Sequence, residues 1–134
     1  MSNAAKVLGA YIEATASGDA GRCTAFFGEG CVLETPCVPP PIPKSIVGTE
    51  KIRETFEFLF GKVFAEFEVV DLEIFGADDP EVAFARYKSR VKLRDGRDYG
   101  NDYVLFARVR DGLFVQYAEF MDTTRAMSAL QTAA

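Results

Sequence analysis

Few residue types in this chain can do chemistry at neutral pH. It contains no histidine, so Ser-His-Asp and Cys-His nucleophiles, histidine metal sites and imidazole proton shuttles are excluded. Acid–base work falls to Asp, Glu, Tyr, Lys or Cys. The three cysteines, Cys23, Cys31 and Cys37, fit no zinc spacing and have no base nearby to activate them, so they read as reduced packing thiols. The most informative carboxylate is Glu119. It stands between Tyr117 and Met121 on a row that is otherwise apolar. A carboxylate there costs several kcal/mol unless it is paired or neutral. Burial would raise its pKa and suit it to general acid or base work. A structural glutamate bonded to a tyrosine, or one at the rim of a sheet, would carry the same signature.

That row exists only if the last third of the chain is a β-meander. Two turns share the tripeptide Arg-Asp-Gly, at 94–96 and 110–112. A three-residue hairpin loop ending in glycine is a favoured form, because that glycine takes the left-handed conformation. Strands are expected over Glu81–Leu93, Arg97–Val109 and Leu113–Asp122. Residues whose numbers sum to 190 then face each other across the first hairpin, and those summing to 222 across the second. Parity assigns the faces. The inward row includes Tyr87, Ser89, Tyr99, Asn101, Tyr103, Leu113, Val115, Tyr117 and Glu119. Tyr87, Tyr103 and Glu119 become cross-strand neighbours, and Ser89, Asn101 and Met121 form the next rung. Asn101 could orient a carbonyl oxygen or satisfy backbone groups; Tyr87 and Tyr103 could line a site or simply fill the core.

The outward row holds Arg86, Lys88, Arg90 and Lys92. It resembles a phosphate-binding stripe, but Lys88 falls opposite Asp102 and Lys92 opposite Asp98, so cross-strand ion pairing explains it. Phe84, Val104, Phe106, Phe114 and Phe120 share that face, which points to a two-fold homodimer.

The rest of the chain supplies helices to cover the inner face. Val7, Leu8, Tyr11, Ile12 and Thr15 have helical spacing, and Gly18 ends that helix. Asp19 is placed to cap a second, short helix carrying Cys23, Phe26 and Phe27. Cys31–Thr35 reads as a short strand. Five prolines between Pro36 and Pro43 make an extended loop, since neither a helix interior nor a central strand tolerates them, and a rigid loop over the core is the better reading than a proline-recognition ligand. A third helix starts at Gly48-Thr49 with the stripe Ile52, Phe56, Leu59, Phe60 and Val63. Phe64–Phe75 is a strand, and a last helix runs from about Thr123 to Gln131. The fold class is therefore α+β, with helices on one face of a curved sheet. Tyr11, Phe56 and Phe60 join Tyr87, Asn101, Tyr103 and Glu119 around the expected pocket.

Composition sets the outer limits. The 134 residues, 49% of them hydrophobic, suit a single domain over 1–134 with a true core. The formal charge of −5 without a basic tract argues against nucleic acid as a partner. No apolar run approaches a membrane span and no secretory signal is visible, so the expected location is cytoplasmic. Ser2-Asn3-Ala4 carries no weight, since it could be an expression scar.

These segments resemble the nuclear transport factor 2-like superfamily, in particular the SnoaL-like polyketide cyclases, ketosteroid isomerases and limonene epoxide hydrolases. The resemblance rests on Tyr11-Ile12-Glu13 through Gly18-Asp19, Phe27, Glu34-Thr35-Pro36 and Gly48-Thr49-Glu50-Lys51-Ile52-Arg53. It continues through Asp95-Gly96-Arg97, Asn101-Asp102-Tyr103, Asp111-Gly112 and Glu119-Phe120-Met121-Asp122. It implies a cone-like fold, helices on a strongly curved mixed or antiparallel sheet, around an apolar pocket. It also implies a hydrophobic small molecule as substrate and neither metal nor organic cofactor. Tyr11 matches the oxyanion-hole tyrosine of ketosteroid isomerases, and Glu119 the last-strand carboxylate of the cyclases and epoxide hydrolases. Two departures matter. Thr35 stands where the isomerases place their base aspartate, and Arg86 is followed two residues later by Lys88 where the epoxide hydrolases need aspartate. The expected catalytic set is Glu119, Tyr11 and Asn101, with Tyr87, Tyr103, Phe56, Phe60 and Tyr117 holding substrate. Cyclisation, isomerisation or dehydration would be the chemistry; a non-catalytic binding or assembly module of the same fold is the alternative.

Overall fold

The computed structural model describes residues 1–131. The elements run α1 (Asn3–Thr15), α2 (Ala20–Thr24), β1 (Val32–Glu34), β2 (Ser45–Val47) and α3 (Thr49–Phe58). A π-helical turn at Leu59–Val63 leads into β3 (Phe64–Gly76), β4 (Val82–Leu93), β5 (Asp98–Arg110), β6 (Leu113–Met121) and α4 (Thr123–Leu130). The sheet order is β2-β1-β6-β5-β4-β3. It is mixed, because β1 runs parallel to β6 while the other pairs are antiparallel. The sheet is curved and does not close. Bulges in β3 and between β5 and β6 bend it. Among the described residues no helix is long and apolar enough to cross a membrane.

Local chemistry sets the boundaries. Ser2 caps α1 by accepting from the Ala5 amide, so the segment set aside as a possible scar starts the first helix. Asp19 caps α2 through the Arg22 amide. β2 was not expected. The proline loop excludes a strand only between Pro36 and Pro43; on either side the chain pairs, with the Thr35 amide donating to the Lys44 carbonyl at 2.8 Å. β4 alternates buried and exposed residues along most of its length, which is the pattern of a strand with one dry face.

The two Arg-Asp-Gly turns fold differently. At 94–96 the expected three-residue loop forms, closed by Leu93 and Arg97, with Gly96 at φ 93°. The Arg94 guanidinium donates twice to the Phe60 carbonyl in the π turn, and its amide bonds the Val63 carbonyl, so Arg94 is held out of the ladder. Across this hairpin every pair sums to 190. At 110–112 Arg110 stays in the ladder opposite Leu113, its Nε bonded to both oxygens of Glu81. Asp111 and Gly112 both take positive φ, 51° and 77°, and make a two-residue turn. A bulge at Val115 follows, because Phe114 instead bonds sideways: its amide to Phe26 and its carbonyl to Gly28. Beyond the bulge the pairs sum to 224 rather than 222, so Glu119 faces Leu105 and Met121 faces Tyr103.

This corrects three expectations. Phe114 leaves the outer face and is fully buried, whereas Leu113 and Val115 are exposed. Glu119 is one rung away from Tyr103 rather than opposite it. Lys88 does face Asp102 in the ladder, but Asp102 is taken by Arg125 at 2.6 Å. The other cations of that β4 row pair as Arg86–Glu73, Arg90–Glu68 and Lys92–Asp98.

The core lies between α1, α2, α3 and the concave face. Its centre is aromatic: the Tyr11 ring meets Phe27, Phe114 and Tyr117 edge-to-face at centroid distances of 5.6, 5.2 and 5.4 Å.

Candidate active site

Below this packed centre the sheet and helices diverge and leave a cavity of about 380 Å³, a size suited to a small organic ligand. Tyr11 reaches it from α1, and Phe56 and Phe60 from α3 and the π turn. Tyr87 enters from β4, Tyr99 and Tyr103 from β5, and Glu119 from β6. The proline loop contributes Val38, Ile42 and Pro43, and α4 contributes Ala126, Met127 and Leu130. The loop was expected over the core, but its part in the cavity wall, and that of the last helix, were missed at the sequence level. Helix α4 is tied down at both ends. Arg125 bonds Asp102 and the Gly100 carbonyl. Arg97 bonds the carbonyls of Ser128, Ala129 and Gln131, satisfying the end of the helix and favourably placed in its dipole.

Among the described residues Glu119 is the one carboxylate of the cavity. One oxygen, Oε1, accepts from the Tyr117 hydroxyl at 2.9 Å, and no Lys or Arg among the described residues pairs with it. Burial raises its pKa above the ordinary glutamate value, and the Tyr117 bond offsets part of that rise. The Tyr117 and Tyr11 hydroxyls lie 3.4 Å apart. Since Tyr117 has a single hydroxyl hydrogen and gives it to Glu119, the Tyr11 hydrogen completes the chain Tyr11–Tyr117–Glu119. Burial keeps the tyrosines protonated: Tyr11, Tyr87 and Tyr117 are all held well above the ordinary tyrosine value, with the Glu119 charge adding to the effect. All five tyrosines of the chain are gathered here, four in the cavity wall and Tyr117 behind Glu119.

Six of the eight residues expected at the site line this cavity: Glu119, Tyr11, Tyr87, Tyr103, Phe56 and Phe60. Tyr117 does not face it; fully buried, it orients Glu119 from behind. Asn101 is not brought in either. Its amide nitrogen donates to the Tyr99 hydroxyl and the Asp122 carbonyl, and its oxygen accepts from the Asp102 and Asp122 amides. The two bonds to Asp122 fasten the start of α4 to β5, and the four together leave nothing for a ligand. Tyr99 was on the inward row but was not singled out. Burial pushes Cys23 and Cys31 up to about 11, so neither holds much thiolate at neutral pH. Among the described residues no three His, Cys, Asp or Glu side chains converge to hold a metal ion.

Tyr117→Phe tests this arrangement. Removing the hydroxyl that donates to the charged form should move the Glu119 titration further upward and cost about 1 kcal/mol of stability. Carbon-13 resonances of the Glu119 carboxyl read the shift directly, and an unmoved midpoint would mean that the bond does not tune the acid.

The SnoaL-like domain family model matches residues 8–117. A PhzA/B-like protein of Pseudomonas aeruginosa, itself uncharacterised, is 30% identical over 130 residues, which cover 96% of this chain and 90% of that protein. Among solved structures, a candidate isomerase from Bacillus subtilis superposes with a TM-score of 0.84 at 20% identity, covering 95% of this chain and 91% of that one. A candidate polyketide cyclase from Xanthomonas campestris gives a TM-score of 0.80 at 17% identity, with 96% and 97% covered. Those structures speak to the fold, and the family match to the lineage: with its helices, curved mixed sheet and apolar cavity, this chain belongs to the SnoaL-like domain family, of nuclear transport factor 2-like architecture.

Proposed function

We propose that this protein is a cofactor-independent enzyme of the cyclase or isomerase type, acting on a hydrophobic small molecule, with Glu119 moving the proton. The observation that carries the reading is a desolvated carboxylate, bonded on one oxygen by Tyr117, in an apolar cavity large enough for a substrate. Such a group removes a proton from a carbon acid and returns it elsewhere. Tyr87, neutral at working pH, would donate a hydrogen bond to the oxygen on which charge develops, whereas the Tyr11 hydrogen is already given to Tyr117. The candidate isomerase and cyclase among the structural neighbours are consistent with this class of reaction. The second reading, a binding or assembly module, draws support from Asn101, whose fully used amide removes one expected oxyanion donor.

A neutral bicyclic ketone, 2-tetralone, separates the two. Incubated with the protein in deuterium oxide, it should exchange its acidic C–H protons faster than in buffer alone, as followed by proton NMR. Binding of the ketone without faster exchange would favour the module.

The homodimer also belongs here. Val104 and Phe120 lie on the outer face at 46% and 39% exposure, beside Phe84 and Phe106, whose rings meet edge-to-face at 5.4 Å. This strip, without Phe114, would form the two-fold contact. Light scattering at micromolar protein should return twice the chain mass, and a monomer mass would reject the dimer. The free thiols of Cys23, Cys31 and Cys37 favour a reducing, cytoplasmic location.

A further inference from the structure

Strand alternation has sorted the charges of this protein by face. Along β4 the inward residues are Ala85, Tyr87, Ser89 and Val91, while Arg86, Lys88, Arg90 and Lys92 all point outward. Arg125 and Arg97, which hold α4, spend their guanidinium groups on Asp102, Asp122, Asp95 and backbone carbonyls. Among the described residues the cavity wall therefore contains no lysine or arginine, and its one carboxylate is Glu119. Oε1 of Glu119 is occupied by Tyr117, whereas no group among the described residues bonds Oε2, and that oxygen is not sealed from the cavity. Glu119 is half-buried, and a carboxylate withdrawn from bulk water is ordinarily matched by a cation or by several donors. Here half of its coordination is open toward the space a ligand would fill.

We infer that the cavity selects ligands by charge, accepting an uncharged or cationic organic molecule and refusing carboxylates and phosphates, with Glu119 as the specificity-determining group. This rests on the reading of the cavity as the ligand site. An apolar cavity by itself penalises either sign of ion, because both lose hydration. Glu119 breaks that symmetry. An ammonium group gains its attraction at low dielectric, together with the faces of surrounding tyrosine and phenylalanine rings. A carboxylate meets like charge with no cation to offset it. A neutral ligand with one O–H or N–H donor satisfies Oε2 at no ionic cost.

Three probes sharing one aromatic body measure the effect: 2-naphthylmethylamine, 2-naphthylmethanol and 2-naphthylacetate, titrated calorimetrically at pH 8 into the full chain. The amine and the alcohol should bind, and the acetate should bind about 100-fold or more weaker than the amine. In Glu119→Gln, checked for folding by its thermal transition, the amine–acetate gap should fall below about five-fold. The wild-type series decides even if that variant fails to fold. An acetate within about ten-fold of the amine overturns the inference, as does a gap that survives in Glu119→Gln, or no binding by any probe. The outcomes separate from the catalytic reading. Glu119-dependent exchange of 2-tetralone without a charge gap would leave that reading standing and remove this one, and a charge gap without exchange would do the reverse.

Discussion

Glu119→Gln should lower exchange of 2-tetralone by about 10²- to 10⁴-fold, the usual contribution of a positioned general acid or base. It should do so without disturbing the fold. Glutamine keeps the length and planarity of the side chain, and its carbonyl oxygen can still accept from Tyr117, as Oε1 does now at 2.9 Å. Only the titration disappears. The same substitution should raise stability at neutral pH, and the sign follows from linkage. The folded-state pKa of Glu119 lies above its ordinary value, because burial penalises the charged form. Below the unfolded value, about 4.3, the group is protonated in both states and the wild type loses nothing. As pH rises from the unfolded value towards the folded one, the unfolded chain releases a proton that the native state still holds, so the cost grows across that interval and is complete above both values. Urea denaturation of the two proteins from pH 4 to pH 8 should therefore show the variant pulling ahead as pH rises. A gap that stays constant over that range would mean that Glu119 titrates alike in the folded and unfolded chain. Unchanged exchange in the variant would remove Glu119 from the chemistry and leave the binding module as the reading.

The placement of Glu119 shows what the sequence could and could not convey. Alternation along β4 and the first Arg-Asp-Gly loop fix the register of β4 on β5 at every pair, and both depend on neighbours close in sequence. The second loop has the same three residues, but its form is decided by partners far along the chain. Arg94 is drawn off by the Phe60 carbonyl, whereas Arg110 is kept in the ladder by Glu81. The shorter turn moves the register by one residue and the bulge at Val115 by one more. Two single steps restore parity, which is why Glu119 faces inward as expected while its partner across the strands changes. Asn101 shows the other limit. Parity correctly buries it, but its role depends on where the chain turns after β6, and there the Asp122 backbone claims both ends of its amide. The cavity walls from α4 and the proline loop were hidden for the same reason. Their docking relies on Arg97, Arg125 and the Thr35–Lys44 pair, contacts that no local pattern announces.

Phe114→Ala gives the most direct reading of that bulge. The Phe114 side chain is fully buried, with ring centroids 5.2 Å from Tyr11, 5.2 Å from Phe27 and 5.4 Å from Tyr117. Truncation removes the transfer free energy of the ring and leaves a void that these rigid neighbours, each wedged against the others, can only partly fill. The expected cost is about 3–5 kcal/mol. For a chain of this length that is a fall of about 10–20 °C in melting temperature. Val115→Ala, one residue on, removes a side chain that is 38% exposed and should change stability by less than about 1 kcal/mol. An unbroken strand with a three-residue turn would reverse the two, placing Val115 in the core and Phe114 on the outer surface. Melting curves of the pair therefore decide between the registers, and a larger loss at Val115 would reject the bulge. The effect should also reach the cavity. Phe114 packs against both Tyr11 and Tyr117, whose hydroxyls are 3.4 Å apart and lead to Glu119. Once that support is gone, the chain of hydroxyls loosens. At a temperature where Phe114→Ala is still folded, its 2-tetralone exchange should fall as well, whereas that of Val115→Ala should match the wild type.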